Sequence, residues 1–197
     1  MKFYRWIWFA GLLVVAGACK SGQPEAQTNE PELLETSTIK DIMDSMIDPS
    51  GDVIFESVAE IADEQGYRAI APETDEEWQE VRRHAITLIE APNLIVMSGR
   101  KVAQPGEKAE VPGVELSPEE IQKLIDGDRA NFINRARALQ EAATTALKAI
   151  DAKDKDALFA AAEKVDQACE NCHLQYWYPN DEAAKAAAAA AAARKQN

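Results

Sequence analysis

The segment DALFAAAEKVDQACENCHLQYWY, from Asp156 to Tyr178, carries both the periodicity and the chemistry that decide the fold. Leu158, Ala162, Val165, Cys169, Cys172 and Tyr176 recur at steps of three and four, one stripe of an α-helix that stops before Pro179-Asn180. Late in the stripe stands Cys169-Glu170-Asn171-Cys172-His173, and Cys-x-x-Cys-His is the pattern at which c-type haem is attached. Positions i, i+3 and i+4 share one helix face. Two thiols so placed can reach the two vinyl groups along one edge of a porphyrin, while the imidazole stands beneath the iron as proximal ligand. The expectation is one haem c, held by thioethers from Cys169 and Cys172 and ligated by His173.

Other chemistries suit the motif less well. A thioredoxin-type dithiol wants a strand before it and a helix N-terminus at the first Cys, whereas this pair lies late in a helix. A disulfide between residues three apart in a helix is strained. A zinc site needs a fourth ligand, and the only other histidine is His84. Haem also supplies apolar surface to a sequence rich in Ala and only 7% aromatic, at about 25 cal/mol per Å² buried.

Working outward, three further helical segments precede this one. The first spans about Thr38 to Glu64, with Ile39, Ile42, Met43, Met46, Ile47, Ile54, Val58 and Ile61 at helical spacing and Asp48-Pro49 as an interruption. The second opens at Thr74, with Glu77 completing a capping box, and presents Trp78, Val81, Ala85, Leu88, Ile89 and Ile95, with a kink expected at Pro92. The third opens at Ser117, with Pro118 and Glu120, and carries Ile121, Leu124, Ile125, Phe132, Ile133, Ala136, Leu139, Ala143, Leu147 and Ile150. Residues 98–116 hold no periodic pattern and read as a functional loop or mobile crossover. Four amphipathic helices with two short links and one long one predict an all-α, four-helix-bundle domain over residues 37–180.

The flanks differ in kind. Lys2 and Arg5, the apolar run Trp6 to Ala18, and Ala16-Gly17-Ala18 make residues 1–18 an export signal. Cys19 follows at once and predicts a lipidated N-terminus; plain cleavage after Ala18 and an uncleaved anchor are the alternatives. Residues 19–36 read as a disordered tether, and 181–197, nearly pure Ala, as an exposed helical extension without an assigned role. The chain is therefore expected outside the cytoplasm, periplasmic and tethered to a membrane through Cys19. Removing residues 1–18 moves the net charge from −13 to −15. Such a surface repels a nucleic-acid backbone and suits a basic redox partner, steered at a salt-dependent rate. No nucleophile–base pair, paired-carboxylate site or phosphate loop points to an enzyme.

A single Cys-x-x-Cys-His near the end of the last helix of an exported four-helix bundle resembles the class II c-type cytochromes, the cytochrome c-prime superfamily, over about Thr38 to Pro179. Tyr176 fills the aromatic position that follows the motif there, and Trp177 replaces the basic one. The stretch Ile42-Met43 through Asp48-Pro49 to Phe55 resembles a distinct, poorly characterised exported branch. The resemblance implies that the first helix faces the distal side of the haem. A Met there gives a low-spin electron carrier; an apolar residue leaves iron open to NO or CO. Met43 is the first candidate distal ligand, then Met46, then His84, with Met97 behind them. Arg82, Arg83 and Arg100 are candidate partners of the haem propionates, and Trp78 and Phe132 are candidate core or haem-wall residues. The expected function is one-electron transfer with an unidentified redox partner protein, as a monomer or a homodimer. The alternatives are a gas-binding haem protein of the same fold and a haem-free helical lipoprotein that acts as an interaction module.

Overall fold

The computed structural model describes residues 34–63, 66–183, 185, 186 and 189. The leader 1–18, Cys19, the tether as far as residue 33 and most of the Ala-rich extension lie outside the described residues. The domain is mostly helical, in the order α1 (Ile39–Ile42), a π-helical turn (Met43–Ile47), α2 (Asp48–Glu56), β1 (Ala59–Asp63), β2 (Gly66–Ile70), α3 (Asp75–Ile95), α4 (Pro118–Gly127), α5 (Arg129–Asp151) and α6 (Lys155–Tyr176).

The first helical stretch starts at a capping box. The Thr38 hydroxyl accepts from the Asp41 N–H, and the Asp41 carboxylate accepts from the Thr38 N–H at 2.8 Å. Its buried residues are Ile39, Ile42, Ile47, Ser50, Gly51 and Ile54. The step from Ile42 to Ile47 is five residues. At 3.6 residues per turn, five residues of α-helix would swing Ile47 about 140° away from Ile42. The π turn absorbs the extra residue and returns Ile47 to the core. Of the two readings of Pro49, a kink in one helix or the opening of a second, the structure has the second: Pro49 falls in the first turn of α2, where a missing N–H costs little.

The helix expected to continue to Glu64 instead ends at Glu56, and a β-hairpin follows. This corrects the purely helical reading of that stretch. β1 and β2 pair antiparallel, from Ala59 with Ile70 to Asp63 with Gly66. Ser57 turns its hydroxyl back onto the Ile54 carbonyl at 2.8 Å. Gly66 takes φ +116°, a conformation that glycine reaches without Cβ strain. Ile61 therefore belongs to a strand, while Val58 closes the core at the helix end, 5% exposed.

α3 begins at the predicted capping box, with the Glu77 carboxylate accepting from the N–H groups of Thr74 and Glu73 at 2.9 and 2.7 Å. Pro92 lies buried in its last turn. The capping box at Ser117 opens α4. The single third helix expected from Ser117 to Ile150 is broken at Asp128, whose φ and ψ of −141° and 59° leave the helical region while its carboxylate caps α5. Within α4 Ile121 and Ile125 are buried, while Leu124 is 41% exposed, against its expected place on the stripe.

Residues 98–116 are irregular and anchored. The Ile39 and Lys40 N–H groups donate to the Lys101 and Val102 carbonyls at 2.8 and 2.9 Å. Val102 is buried, and its N–H donates to Gln122 Oε1 at 3.0 Å. Arg100, 6% exposed, donates to the Leu94 and Ser37 carbonyls and to Met97 Sδ. At the far end the Leu116 N–H donates to the Trp177 carbonyl at 2.8 Å. These bonds tie both ends of the segment to the helices.

α2 packs on α3 and α6, α3 on α5, and α5 on α6. The buried faces of α5 and α6 are rich in small side chains, Ala136, Ala142, Ala143 and Ala146 on α5 and Ala161, Ala162 and Ala168 on α6. Bulk comes from Leu88, Phe132, Ile150, Leu158 and Val165. Trp78, 4% exposed, is a core residue.

Candidate functional site

α6 carries Cys169, Cys172 and His173 to one wall, and all three line a cavity of about 60 Å³. α2 and the π turn supply Met43, Ile47, Asp48, Gly51 and Phe55 to the same lining; α3 supplies Ile95, and α5 supplies Arg135, Ala136 and Leu139. The helical spacing of the motif is thus realised, with both sulfurs and the imidazole on one face. Cys172 is buried, Cys169 is half-buried, and both are free thiols. Burial pushes the Cys169 thiol up to about 12 and the Cys172 thiol up to about 11, with the Arg135 charge pulling Cys172 the other way. The thiols are therefore neutral at physiological pH. Burial holds His173 below the ordinary imidazole range, against the carboxylates of Glu170, Asp48 and Glu115, so its ring keeps a lone pair to donate.

A second cavity, of about 170 Å³, is also lined by His173. His173, Met43 and Asp48 line both spaces. Asp44, Glu110, Glu115, Trp177 and Tyr178 border the second. Trp177 and Tyr178 hold their rings 6.1 and 5.7 Å from the His173 ring. Both also donate backbone N–H groups to the His173 carbonyl, at 2.8 and 3.0 Å. The Tyr178 hydroxyl donates to Glu170 at 2.8 Å. The end of α6 is thereby fixed immediately beyond the motif.

The donor set fits a covalently attached haem. It offers two thiols one turn apart, one neutral imidazole, and an apolar wall of Phe55, Ile95 and Leu139. Gly51 contributes to the fit, since a Cβ there would stand 3.3 Å from Phe55 Cε2 and take up room at the wall. Among the described residues no group of three or more His, Cys, Asp or Glu side chains is arranged to hold a bare metal ion.

The other sequence candidates separate clearly. Met43 lines both cavities beside His173. Met46 is half-buried against the core and belongs to neither lining. His84 is held between α2 and α3 instead, its Nδ1 3.1 Å from Ser50 Oγ and its Nε2 3.2 Å from Glu80 Oε1. Met97 is engaged by Arg100. Arg82 pairs with Asp151, Arg83 with Glu80, and Arg100 with backbone carbonyls, so none of the three faces the motif. Lys40 and Lys108 line the second cavity with His173, and the basic residue on the lining shared with both cysteines is Arg135, which the sequence reading missed. It lies two turns before Ala143 on the α5 stripe, and nothing local distinguishes it from the exposed Arg137.

Phe132 and Tyr176 meet edge-to-face at 5.5 Å, packing α5 onto α6 one turn beyond the motif. The Tyr176 hydroxyl is buried and has no hydrogen-bond partner among the described residues. A buried hydroxyl without a partner loses its hydration for nothing in return. Tyr176→Phe is therefore expected to raise stability by roughly 1 kcal/mol in urea denaturation; a loss of that size would show that the hydroxyl is satisfied.

The family model described as Cytochrome C' matches residues 112–177, about a third of the chain. The match takes in α4, α5 and α6 with the Cys-x-x-Cys-His motif, and supports a cytochrome c-prime-like, haem-binding segment of c type. No curated protein and no solved structure matches the chain. Met43 and the rest of the first helical stretch lie outside the matched residues.

Proposed function

We propose that this protein is an exported monohaem c-type cytochrome of four-helix-bundle form that carries single electrons. The observation that carries the reading is the convergence of Cys169, Cys172, His173 and Met43 on one cavity. When bound, haem supplies a reversible one-electron iron couple. The protein's part is to hold it. Cys169 and Cys172 give thioether sulfurs on one face of α6, so the group cannot leave by dissociation. His173 would donate a neutral imidazole nitrogen to the iron, its ring packed beside those of Trp177 and Tyr178. Met43 would offer a soft thioether as the second protein ligand, which would favour the reduced iron and a raised potential.

The wider assignment goes with this reading. Residues 1–18 direct export, Cys19 takes a lipid and residues 19–36 tether the haem domain 37–180 to the periplasmic side of a membrane. The acidic domain works with a basic redox partner protein and has no enzymatic activity of its own.

The ferric spectrum of protein expressed with the haem-attachment machinery tests the function. Low-spin iron with a Met–iron charge-transfer band that disappears in Met43→Ala, while covalent haem is retained, is the expected result. High-spin iron that takes up CO without competition would assign the gas-binding role and refute Met43. A pyridine haemochrome test without covalent haem would leave a helical interaction module.

A further inference from the structure

Arg135 is the basic side chain on the lining that holds Cys169, Cys172 and His173. Its Nε donates to Gln175 Oε1 at 2.8 Å, and Gln175 stands two residues beyond His173 on α6. The helix that carries the motif therefore also aims this guanidinium. Among the described residues its two terminal nitrogens have no hydrogen-bond partner, in contrast to Arg100, whose Nε and both terminal nitrogens are engaged. The neighbouring walls, Ile95, Ala136 and Leu139, are apolar. A charge beside such walls acts at a lower effective dielectric than one in water. The acidic member of the same lining, Asp48, is exposed, so solvent and salt screen it more strongly.

We propose that Arg135, held by Gln175, sets the reduction potential of the centre by placing a fixed positive charge beside it. The inference rests on the haem reading of the site. Oxidation removes one electron and leaves the centre one unit more positive. A fixed cation nearby opposes that change and favours the reduced form. No side chain in the sequence-stretch 112–177 other than Arg135 combines a positive charge with a place on this lining.

The test is a spectroelectrochemical titration of the haem-loaded protein, with one-electron mediator dyes, for the wild type, Arg135→Gln, Arg135→Lys and the exposed control Arg137→Gln. Arg135→Gln is expected to shift the exchange equilibrium toward the oxidised form by roughly tenfold, which is about 59 mV for one electron. Arg135→Lys should recover most of that shift, and Arg137→Gln should stay near the wild type. A haem-loaded Arg135→Gln protein with unchanged or raised potential overturns this inference alone, as does an equal shift in Arg137→Gln. A wild-type chain that carries no covalent haem overturns the functional reading beneath it as well.

Discussion

Replacing both Cys169 and Cys172 by alanine is expected to abolish covalent haem, so that the intact mass of the mature chain shows no tetrapyrrole increment and acid–acetone extraction leaves no haem with the polypeptide. The effect should be all-or-none, because two thioethers are the sole covalent links the motif offers. Each single variant keeps one sulfur and should retain haem at reduced yield. His173→Ala keeps both sulfurs and should retain covalent haem while losing the low-spin ferric spectrum, since the proximal nitrogen is gone. The three outcomes separate attachment from ligation. A double-alanine chain that still carries haem through extraction would show that the motif is not the attachment point. The physical ground is the packing of α6: both sulfurs and the imidazole line one cavity, so one face of one helix does the attaching and the ligating.

Phe132→Ala should be the most destabilising single substitution, at about 3–5 kcal/mol in denaturant unfolding of the haem-loaded protein. Phe132 is 1% exposed and contacts Tyr176 edge-to-face at 5.5 Å, with the Arg129 guanidinium 5.8 Å from its ring. Truncation removes the ring, leaves a cavity and uncouples α5 from α6 close to the motif. The buried faces of α5 and α6 are rich in alanine, which has no longer side chain to move into a gap. Phe132→Leu, which refills most of the volume, should cost less than half as much. A loss below about 1 kcal/mol for Phe132→Ala would mean that this seam collapses freely.

These two experiments probe different levels of the structure. The first depends on chemistry that one helix contains by itself. The second depends on a contact between Phe132 and Tyr176, 44 residues apart in the chain. Arg135 is of the second kind: its meaning comes from Gln175 and from the wall it shares with Cys172, neither of which its own neighbours in sequence reveal. The same holds for Met43 against Met46. Both stand on an apolar stretch, and the π turn, which no cap or proline announces, decides which of them lies beside His173.

The sequence by itself determined what rests on short-range geometry. The i, i+3, i+4 spacing of Cys169, Cys172 and His173, the capping boxes at Thr74 and Ser117, and the apolar stripe of α6 follow from backbone rules that act within one or two turns. Tertiary structure alone decided the rest. The five-residue step to Ile47 is tolerable only because burial of that side chain outweighs the poorer hydrogen bonding of a π turn. The hairpin at 59–70 replaces a helix whose period looked adequate, and the break at Asp128 divides the third helix in two. Each outcome is set by which surfaces meet across separate elements, a quantity that periodicity along the chain does not contain.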